Sequence, residues 1–319
     1  MQPSKYIKLM ENKTLQIDFY ITAFPTNWGQ LFLLFVTFLL LYLIALIWNM
    51  VIVLVTFLDH HLQKPMYFFL CNLSSVDVLY VSVALPKLLD IINTGNNKVS
   101  FTACYTQMYF FTSLACTEIC LLTTMSYDRY TAICRPLHYT LIMHKRMCHL
   151  LVAGCWVFGF SNSLFITIFT SRLTFCGSTK LNQFFCEIKT LTKLSCGAKN
   201  KFKAVILVEA LFVGFCPFVL ILMSYTKIIS NILRMKSVGQ RKKAFSTCTS
   251  HVTVLLFFYG TLLYMYMVPP SENSEQLDQI FSVFYLAVTP TMNPLIYSLR
   301  NKDINIAILN IFLKLKSCM

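Results

Sequence analysis

Long apolar segments, separated by short polar ones, run through nearly the whole chain. Four segments contain no Asp, Glu, Lys or Arg: Gly29–Leu58, Met147–Ser171, Ala244–Ser271 and Gln279–Leu299. Three more contain a single acid each: Pro65–Pro86 with Asp77, Val99–Tyr127 with Glu118 and Ala204–Thr226 with Glu209. A helix needs about 20 apolar residues to cross the ~30 Å hydrocarbon core of a membrane. The pattern therefore predicts seven membrane-spanning helices, numbered here span one to span seven in chain order.

The composition agrees with a membrane protein. Apolar residues make up 56% of the 319 residues and charged residues only 13%, about half the charged share of a typical soluble domain. Nucleic-acid-binding proteins are also basic, but they do not combine a net charge such as +14 with continuous apolar segments of this length. The segments are apolar all round, which favours helices over membrane-spanning strands. We therefore predict an all-α membrane protein, a seven-transmembrane helix bundle, with no nucleic acid among its partners.

Charge distribution and a glycosylation sequon predict the orientation. The larger share of the 27 Lys and Arg residues falls on the face that holds the loops after spans three and five, which favours that face as cytoplasmic. Asn12 begins the sequon Asn12-Lys13-Thr14, which is glycosylated only outside the cytoplasm. We predict a multi-pass plasma-membrane protein with an extracellular tail over residues 1–28, a membrane domain over 29–300 and a cytoplasmic tail over 301–319.

Four of the 13 cysteines lie at or beyond the span ends on the predicted outer face: Cys104, Cys176, Cys186 and Cys196. In an oxidising compartment, four such cysteines can form two disulfides. The competing interpretation is a zinc site, but these cysteines lack Cys-x-x-Cys spacing and a nearby histidine pair. The residues therefore favour two disulfides.

Four acids are predicted at membrane depth: Asp77, Glu118, Asp128 and Glu209. A charge there costs roughly 2.5–3.5 kcal/mol on insertion scales, so such residues usually face the interior of a bundle. Asp128 is followed directly by Arg129 near the cytoplasmic end of span three. Two interpretations fit this pair equally well: a partly hydrated ion pair, or a switch whose arginine is released when the helices move.

Prolines interrupt the later spans, and they predict hinges. Pro217, Pro290 and Pro294 each remove one i→i−4 hydrogen bond and can kink a helix. We expect Asn293 to bond backbone groups that lose their partner at the adjacent Pro294, or to bond a water chain toward Asp77. Hinges together with buried acids favour a transducer or a transporter over a passive anchor.

The chain lacks the motifs of the common enzyme classes. It contains no Gly-x-Ser-x-Gly, His-Glu-x-x-His or P-loop sequence, so we predict that it is not an enzyme. Neither half of the chain echoes the other, which counts against transporter folds built from repeats. A small-molecule transporter nevertheless stays the main alternative from another class.

Several motifs, in order along the chain, resemble those of vertebrate olfactory receptors. They are Pro65-Met66-Tyr67-Phe68-Phe69-Leu70, Met125-Ser126-Tyr127-Asp128-Arg129-Tyr130-Thr131-Ala132-Ile133-Cys134, Pro136-Leu137-His138-Tyr139, Ser224-Tyr225, Lys243-Ala244-Phe245-Ser246-Thr247-Cys248 with Ser250-His251, Phe258-Tyr259-Gly260 and Pro290-x-x-Asn293-Pro294-Leu295-Ile296-Tyr297. The resemblance implies a rhodopsin-like G-protein-coupled receptor for odorant-type small molecules, with a short amphipathic eighth helix after span seven. A non-olfactory chemoreceptor of the same fold is the nearest alternative.

The resemblance also implies roles for individual residues. Cys104 would pair with Cys186, and Cys176 with Cys196. Arg129 would be a latch, held by Asp128 at rest and turned toward a stimulatory heterotrimeric G protein, which raises cyclic AMP, when span six swings outward. The other implied switch residues are Tyr225, His251, Asn293, Pro294 and Tyr297.

The ligand-lining positions carried over from the family repeat at three or four residues, as on one helix face. They are Met108, Phe111, Thr112, Ala115, Cys116, Tyr259, Leu262, Leu263, Tyr266, Val283 and Leu286. Ordinary packing between helices is the competing interpretation of this set. Glu209 belongs to none of the matched motifs. It is predicted either as a pocket acid that selects an amine or hydroxyl, or as a residue that reaches back to Lys201 and Lys203.

Asp77 and Glu118 match two acids that look paired in the family, with Asn49 nearby. Two buried carboxylates cannot both stay ionised without compensation. The hypotheses are a shared proton or a bound sodium ion, and the competing interpretation is a structural hydrogen-bond network. No other cofactor is expected.

Two groups of basic residues are predicted outside the spans. The predicted outer loop Ser171–Lys203 carries seven basic residues and one acid, Glu187. The resemblance does not explain this net positive charge, whose sign suggests attraction of acidic ligands or glycans. On the predicted cytoplasmic face, a second group is suited to the G protein and to anionic membrane lipids: Arg234, Lys236, Arg241, Lys242 and Lys243. Palmitoylation of Cys318 is a further hypothesis.

Overall fold

The computed structural model describes residues 18–22, 27–175, 179–196, 199–267, 275–300 and 303–310. Three residues named above, Asn12, Cys176 and Cys318, lie outside the described residues. The side chains of five others also lie outside them: Lys201, Lys203, Lys243, Tyr266 and Tyr297. The described chain is almost entirely helical. The predicted all-α class is therefore confirmed, with the addition of one small sheet.

The seven predicted spans are all present as helices. They are Trp28–Leu58, Pro65–Thr94, Phe101–Cys134, Lys145–Thr170, a fifth span of Lys199–Glu209, Ala210–Phe215 and Cys216–Arg234, a sixth of Val238–Met267, and a seventh of Glu275–Val283, Phe284–Val288 and Thr289–Arg300. The middle pieces of spans five and seven are π-helical turns. Within the described residues, spans one to five are each long and apolar enough to cross a membrane, and span six contributes the shorter apolar stretch His251–Tyr264.

Local sequence explains where the first spans begin and end. The Asn27 side chain accepts a hydrogen bond from the Gly29 N–H at 3.0 Å and caps the start of span one. Pro65, which has no N–H to leave unsatisfied, lies in the first turn of span two. Gly95 ends that span with a φ of 71°, which glycine adopts without strain. The Ser100 hydroxyl accepts from the Ala103 N–H at 3.2 Å and caps span three.

The bundle buries polar side chains and exposes apolar ones, as a membrane requires. Span three lies at the centre and packs against spans two, four and five. Its Ser113, Thr117 and Glu118 are buried, whereas Phe32 and Phe57 of span one are largely exposed. Because lipid tails are as apolar as these side chains, close packing and hydrogen bonds between helices hold such a bundle together.

Gly159 of span four lies in close contact with span three. A Cβ atom here would lie 2.7 Å from the Ser113 carbonyl oxygen. We expect Gly159→Ala to lower the free energy of unfolding by about 1–3 kcal/mol, the usual cost of overpacking, measured by thermal unfolding in detergent. Gly154→Ala is the control on the same helix, since its added Cβ would meet no atom within 4 Å. Equal losses in the two variants would contradict the contact.

A three-stranded sheet, absent from the sequence prediction, covers the end of the bundle that we call the sheet end. Strand β1, Asp18–Ile21, lies between β2, Lys98–Ser100, which is antiparallel to it, and β3, Lys180–Leu181, which is parallel. Phe19 and Ile21 of β1 are buried beneath the sheet. The predicted tail over residues 1–28 thus contributes a central strand.

Residues 303–310 form the predicted eighth helix, at the opposite end of the bundle, which we call the Arg129 end. Ile304 and Ala307 are buried against the core, whereas Ile306 is 56% exposed. Asp303 accepts a hydrogen bond from the Tyr67 hydroxyl at 3.0 Å and pairs with Lys64 at 3.4 Å. These contacts fix the start of the eighth helix to the start of span two.

Candidate functional site

Asp128 and Arg129 form a hydrogen-bonded ion pair at the Arg129 end. Nε and Nη2 of Arg129 donate to Asp128 Oδ2 at 3.1 and 2.7 Å, and the Tyr139 hydroxyl donates to Oδ1 at 2.8 Å. The Asp128 side chain is 0% exposed and that of Arg129 15%. The carboxylate is shielded from solvent and the guanidinium is partly exposed, so this geometry fits both interpretations, the partly hydrated ion pair and the switch.

Tyr139 was not predicted as part of the latch, although it belongs to a matched motif. It lies on the short helix Tyr139–Ile142, which follows span three. Burial raises the pKa of its hydroxyl, and the adjacent Asp128 carboxylate raises that pKa further. The phenol therefore stays protonated and donates to the carboxylate across the physiological pH range.

Spans five and six are joined near this end by two of the predicted switch residues. The Tyr225 hydroxyl lies 2.5 Å from Nδ1 of His251, and both side chains are buried. Span five also meets span three, because Asn231 donates to the Ile133 carbonyl oxygen at 2.9 Å. An outward movement of span six must break the Tyr225–His251 contact.

Asn293 joins the two central acids of spans two and three. Its Nδ2 lies 3.2 Å from both carboxylate oxygens of Asp77 and 3.3 Å from Oε1 of Glu118. All three side chains are buried. Asn293 was predicted to bond freed backbone groups or a water chain toward Asp77, and the structure shows a third arrangement, a direct bond to the Asp77 carboxylate.

The Asn49 side chain supplies a hydrogen-bond donor that Pro294 lacks. Because Pro294 has no N–H, the carbonyl oxygen of Pro290 lacks its helical donor. Asn49 Nδ2 donates to that oxygen at 3.0 Å and to the Ala45 carbonyl oxygen at 2.9 Å. Its Oδ1 is buried and accepts no hydrogen bond within the described part of the chain.

Most of the predicted ligand-lining residues face the interior of the bundle. Six are buried and three partly buried: Met108, Phe111, Ala115, Cys116, Tyr259 and Leu286, then Thr112, Leu262 and Val283. Leu263 is 44% exposed and lies on the outer face of span six, one position past the inward-facing Leu262. The prediction for Leu263 therefore does not fit the structure.

An aromatic cluster surrounds Phe111. Its ring centroid lies 4.5 Å from those of Tyr80 and Phe185 and 5.7 Å from that of Tyr285. Sequence reasoning missed these three partners, since Phe185 comes from a loop and the other two lie outside the matched motifs. Cys186, next to Phe185, is disulfide-bonded to Cys104 with a Cα–Cα distance of 5.4 Å, which holds the loop over the cluster.

Two further polar groups of the bundle have few partners among the described residues. The Tyr259 hydroxyl is buried and has no hydrogen-bond partner among the described residues. Glu209 Oε1 accepts a short hydrogen bond from Asn162 Nδ2, which also lies 3.5 Å from the Cys116 sulfur. Asn162 was missed, and its position inside an otherwise apolar span is the signal that could have found it.

Two lysines of the predicted outer loop Ser171–Lys203 form ion pairs with a buried acid. On its short helix Ile188–Leu194, Lys189 Nζ lies 3.2 Å and Lys193 Nζ 3.6 Å from the carboxylate of Asp278 at the sheet end of span seven. Glu187 accepts from the Thr190 hydroxyl at 2.8 Å, and burial raises its pKa. Two of the loop's basic residues thus neutralise Asp278. The prediction had assigned the loop's positive charge only to the attraction of acidic ligands or glycans.

We expect Asp278→Asn to lower the free energy of unfolding by about 1–2 kcal/mol, because two partly exposed lysines lose their common partner but can be hydrated. The measurement is thermal unfolding of the detergent-solubilised protein. The control is Asp90→Asn, which removes the exposed Lys87–Asp90 pair at 2.7 Å and should cost less than about 1 kcal/mol. A smaller loss for Asp278→Asn than for Asp90→Asn would contradict a role for this contact.

Cys196 is also disulfide-bonded, and its expected partner Cys176 lies outside the described residues. Each of the eight other described cysteines is a free thiol. Within the same residues, no group of three or more His, Cys, Asp or Glu side chains forms a metal site. The zinc interpretation of the outer cysteines therefore does not fit the pairing of Cys104 with Cys186.

Comparisons with known proteins agree with the motifs. A model of the olfactory receptor family matches residues 38–315. The chain is 44% identical over 306 residues to human olfactory receptor 5B21, covering 96% of this chain and 99% of that protein. It is 44% identical over 294 residues to mouse olfactory receptor 1M1, covering 92% and 94%, and 41% identical over 299 residues to human olfactory receptor 6B1, covering 94% and 96%. The chain is a multi-pass membrane receptor, not an enzyme, and it belongs to the olfactory receptor family.

Proposed function

We propose that this receptor binds a small, mostly apolar odorant near the sheet end and activates a stimulatory heterotrimeric G protein that raises cyclic AMP. The observation that carries the proposal is the buried latch: Arg129 bonded to Asp128 at 2.7 Å. A buried, bonded arginine at one end of the bundle is a group that helix movement can release. The aromatic cluster around Phe111 offers the apolar surroundings that such a ligand requires.

Ligand binding acts through differential affinity. An odorant shifts the receptor toward its active arrangement only as far as it binds that arrangement more tightly. The kinked region at Asn293 and Pro294 would let span seven adjust, and separation of Tyr225 from His251 would let span six move outward. The basic residues of the predicted cytoplasmic face, Arg234 and Arg241 among them, would then lie against the G protein and the anionic headgroups beside it.

The proposal includes an orientation, with the sheet end extracellular and the Arg129 end cytoplasmic. It rests on the sequon at Asn12, on the outer disulfides and on the Lys and Arg bias. An epitope tag at residue 1 should be labelled on intact cells, whereas a tag at residue 319 should be labelled only after permeabilisation. The reverse pattern would contradict the orientation.

The test of the function is a cyclic-AMP reporter screen of an odorant panel in cells that express the receptor. At least one panel compound should raise cyclic AMP in a dose-dependent way, and cells with empty vector should not respond. A receptor that reaches the cell surface but answers no compound of a broad panel would contradict the proposal.

We further propose that a sodium ion compensates Asp77 and Glu118. Two carboxylates converge on one amide of Asn293, and Asn49 Oδ1 is a buried acceptor without a donor. Oxygen ligands of this kind suit a hard cation, whose charge would offset that of the carboxylates. Replacing sodium by N-methylglucamine should change basal activity in the wild type and not in Glu118→Gln. An equal response in both would favour a shared proton instead.

A further inference from the structure

Glu209 faces the bundle from the outer half of span five. Phe202 and Val213, seven positions before it and four after it, are buried, whereas Leu207 and Phe212 between them are exposed. Positions four and seven apart share one face of a helix. Glu209 is itself partly buried and is bonded to Asn162 of span four, so it lies on the side of this span that faces the bundle rather than on its lipid face.

A single amide holds the Glu209 carboxylate in place. Asn162 of span four donates one hydrogen bond to Oε1 and approaches the sulfur of Cys116 on span three at 3.5 Å. The three residues thus meet where spans three, four and five converge, and Cys116 is itself a predicted pocket residue. The second oxygen, Oε2, accepts no hydrogen bond from the described residues.

Glu209 is partly buried, and the buried acids nearby have their partners within the chain. Asp128 is paired with Arg129, Asp278 with two lysines, and Asp77 and Glu118 share Asn293. Among the described residues, Glu209 has a hydrogen bond from Asn162 and no ion pair; the side chains of Lys201 and Lys203, its predicted alternative partners, lie outside them. An ionised carboxylate at membrane depth is costly unless a cation compensates it, and a cationic group on a ligand would supply that charge.

We propose that Glu209 is the ionic anchor for a ligand that carries a protonated amine. The inference rests on the proposed function, and it names the chemical class of the odorant. The ammonium group would donate to Oε2 while Asn162 occupies Oε1, and the ligand's apolar body would lie toward Cys116 and the aromatic rings beyond it. Alkyl and arylalkyl amines of small size match this arrangement.

The test compares amines with neutral compounds of the same carbon skeleton. Primary amines, with the matching alcohols, aldehydes and carboxylic acids, are applied to cells that carry a cyclic-AMP reporter and the wild type or Glu209→Gln. The Gln side chain keeps an oxygen that accepts from Asn162, so the contact between spans four and five persists. We expect Glu209→Gln to raise the EC50 of the amines by about 10- to 100-fold, the value of a charge-assisted hydrogen bond.

The alcohols and aldehydes should keep their EC50 in Glu209→Gln. Tyr259→Phe, which removes a buried hydroxyl but no charge, is the control and should not separate amines from alcohols. Glu209→Lys should shift the preference toward the carboxylic acids. Equal shifts for amines and alcohols in Glu209→Gln would overturn the inference, as would a wild type that answers alcohols but no amine. Silence of the wild type toward every compound would instead contradict the proposed function on which the inference rests.

Discussion

Replacing Arg129 with alanine is expected to abolish the agonist-dependent rise in cyclic AMP. The guanidinium is the cation bonded to buried Asp128. In the proposed mechanism this contact belongs to the resting arrangement, and the guanidinium is the group presented to the G protein on activation. Removing it also leaves Asp128 with the Tyr139 hydroxyl as its hydrogen-bond partner, and breaking a buried pair costs about 3–5 kcal/mol. Surface density will therefore fall too, and the cyclic-AMP response is to be normalised to receptor at the surface.

Two further variants separate signalling from stability. Asp128→Asn keeps an oxygen for Tyr139 but removes the charge that holds Arg129, so basal cyclic AMP should rise. Tyr139→Phe removes one hydrogen bond of 2.8 Å, and its basal activity should rise less. Arg146→Ala is the control for charge, because Arg146 is exposed at the same end of the bundle. Wild-type basal activity in Asp128→Asn, together with a normal agonist response in Arg129→Ala, would contradict the latch.

Loss of the Cys104–Cys186 disulfide is expected to have the largest effect on folding. The bond joins residues 82 positions apart and fixes the loop that places Phe185 on Phe111. Removing a disulfide of this kind costs about 2–5 kcal/mol. Cys104→Ser should therefore lower surface density several-fold, measured by antibody staining of intact cells.

A double-mutant cycle makes this prediction specific. Cys104→Ser, Cys186→Ser and the double variant should lose the same amount, because each removes the same bond. Cys216→Ser is the control, since Cys216 is an exposed free thiol. Additive losses in the double variant would show that the two cysteines act independently.

The sequence predicted the seven spans because membrane helices need long apolar segments, and the charge-free segments of this chain mark them clearly. It also predicted the two acids that meet at Asn293, Asp77 and Glu118, since an acid inside an apolar segment is conspicuous. The small sheet was missed because β1 is four residues long and depends on partners 80 and 160 positions away in the chain. Strands of this length carry too little periodicity to be recognised.

Contacts between distant segments account for the other omissions. Tyr139, Asn162 and Asp278 are ordinary polar residues in the sequence, and each gains its role from a partner on another element. The predicted ligand-lining role of Leu263 does not fit for a related reason. Adjacent positions on a helix point about 100° apart, so Leu262 and Leu263, both taken from the family positions, cannot face the same side. Burial decides between such neighbours, and burial depends on the packed bundle.

The central claim, that a bound ligand releases Arg129 to activate a G protein, is tested most directly by nucleotide exchange with purified components. The receptor in lipid nanodiscs, a stimulatory heterotrimeric G protein and the panel compound with the largest cyclic-AMP response are combined, and GTP binding is followed in time. The account predicts that the compound accelerates exchange with the wild type and not with Arg129→Ala. Equal acceleration by both receptors, or no acceleration by a wild type that binds the compound, would contradict it.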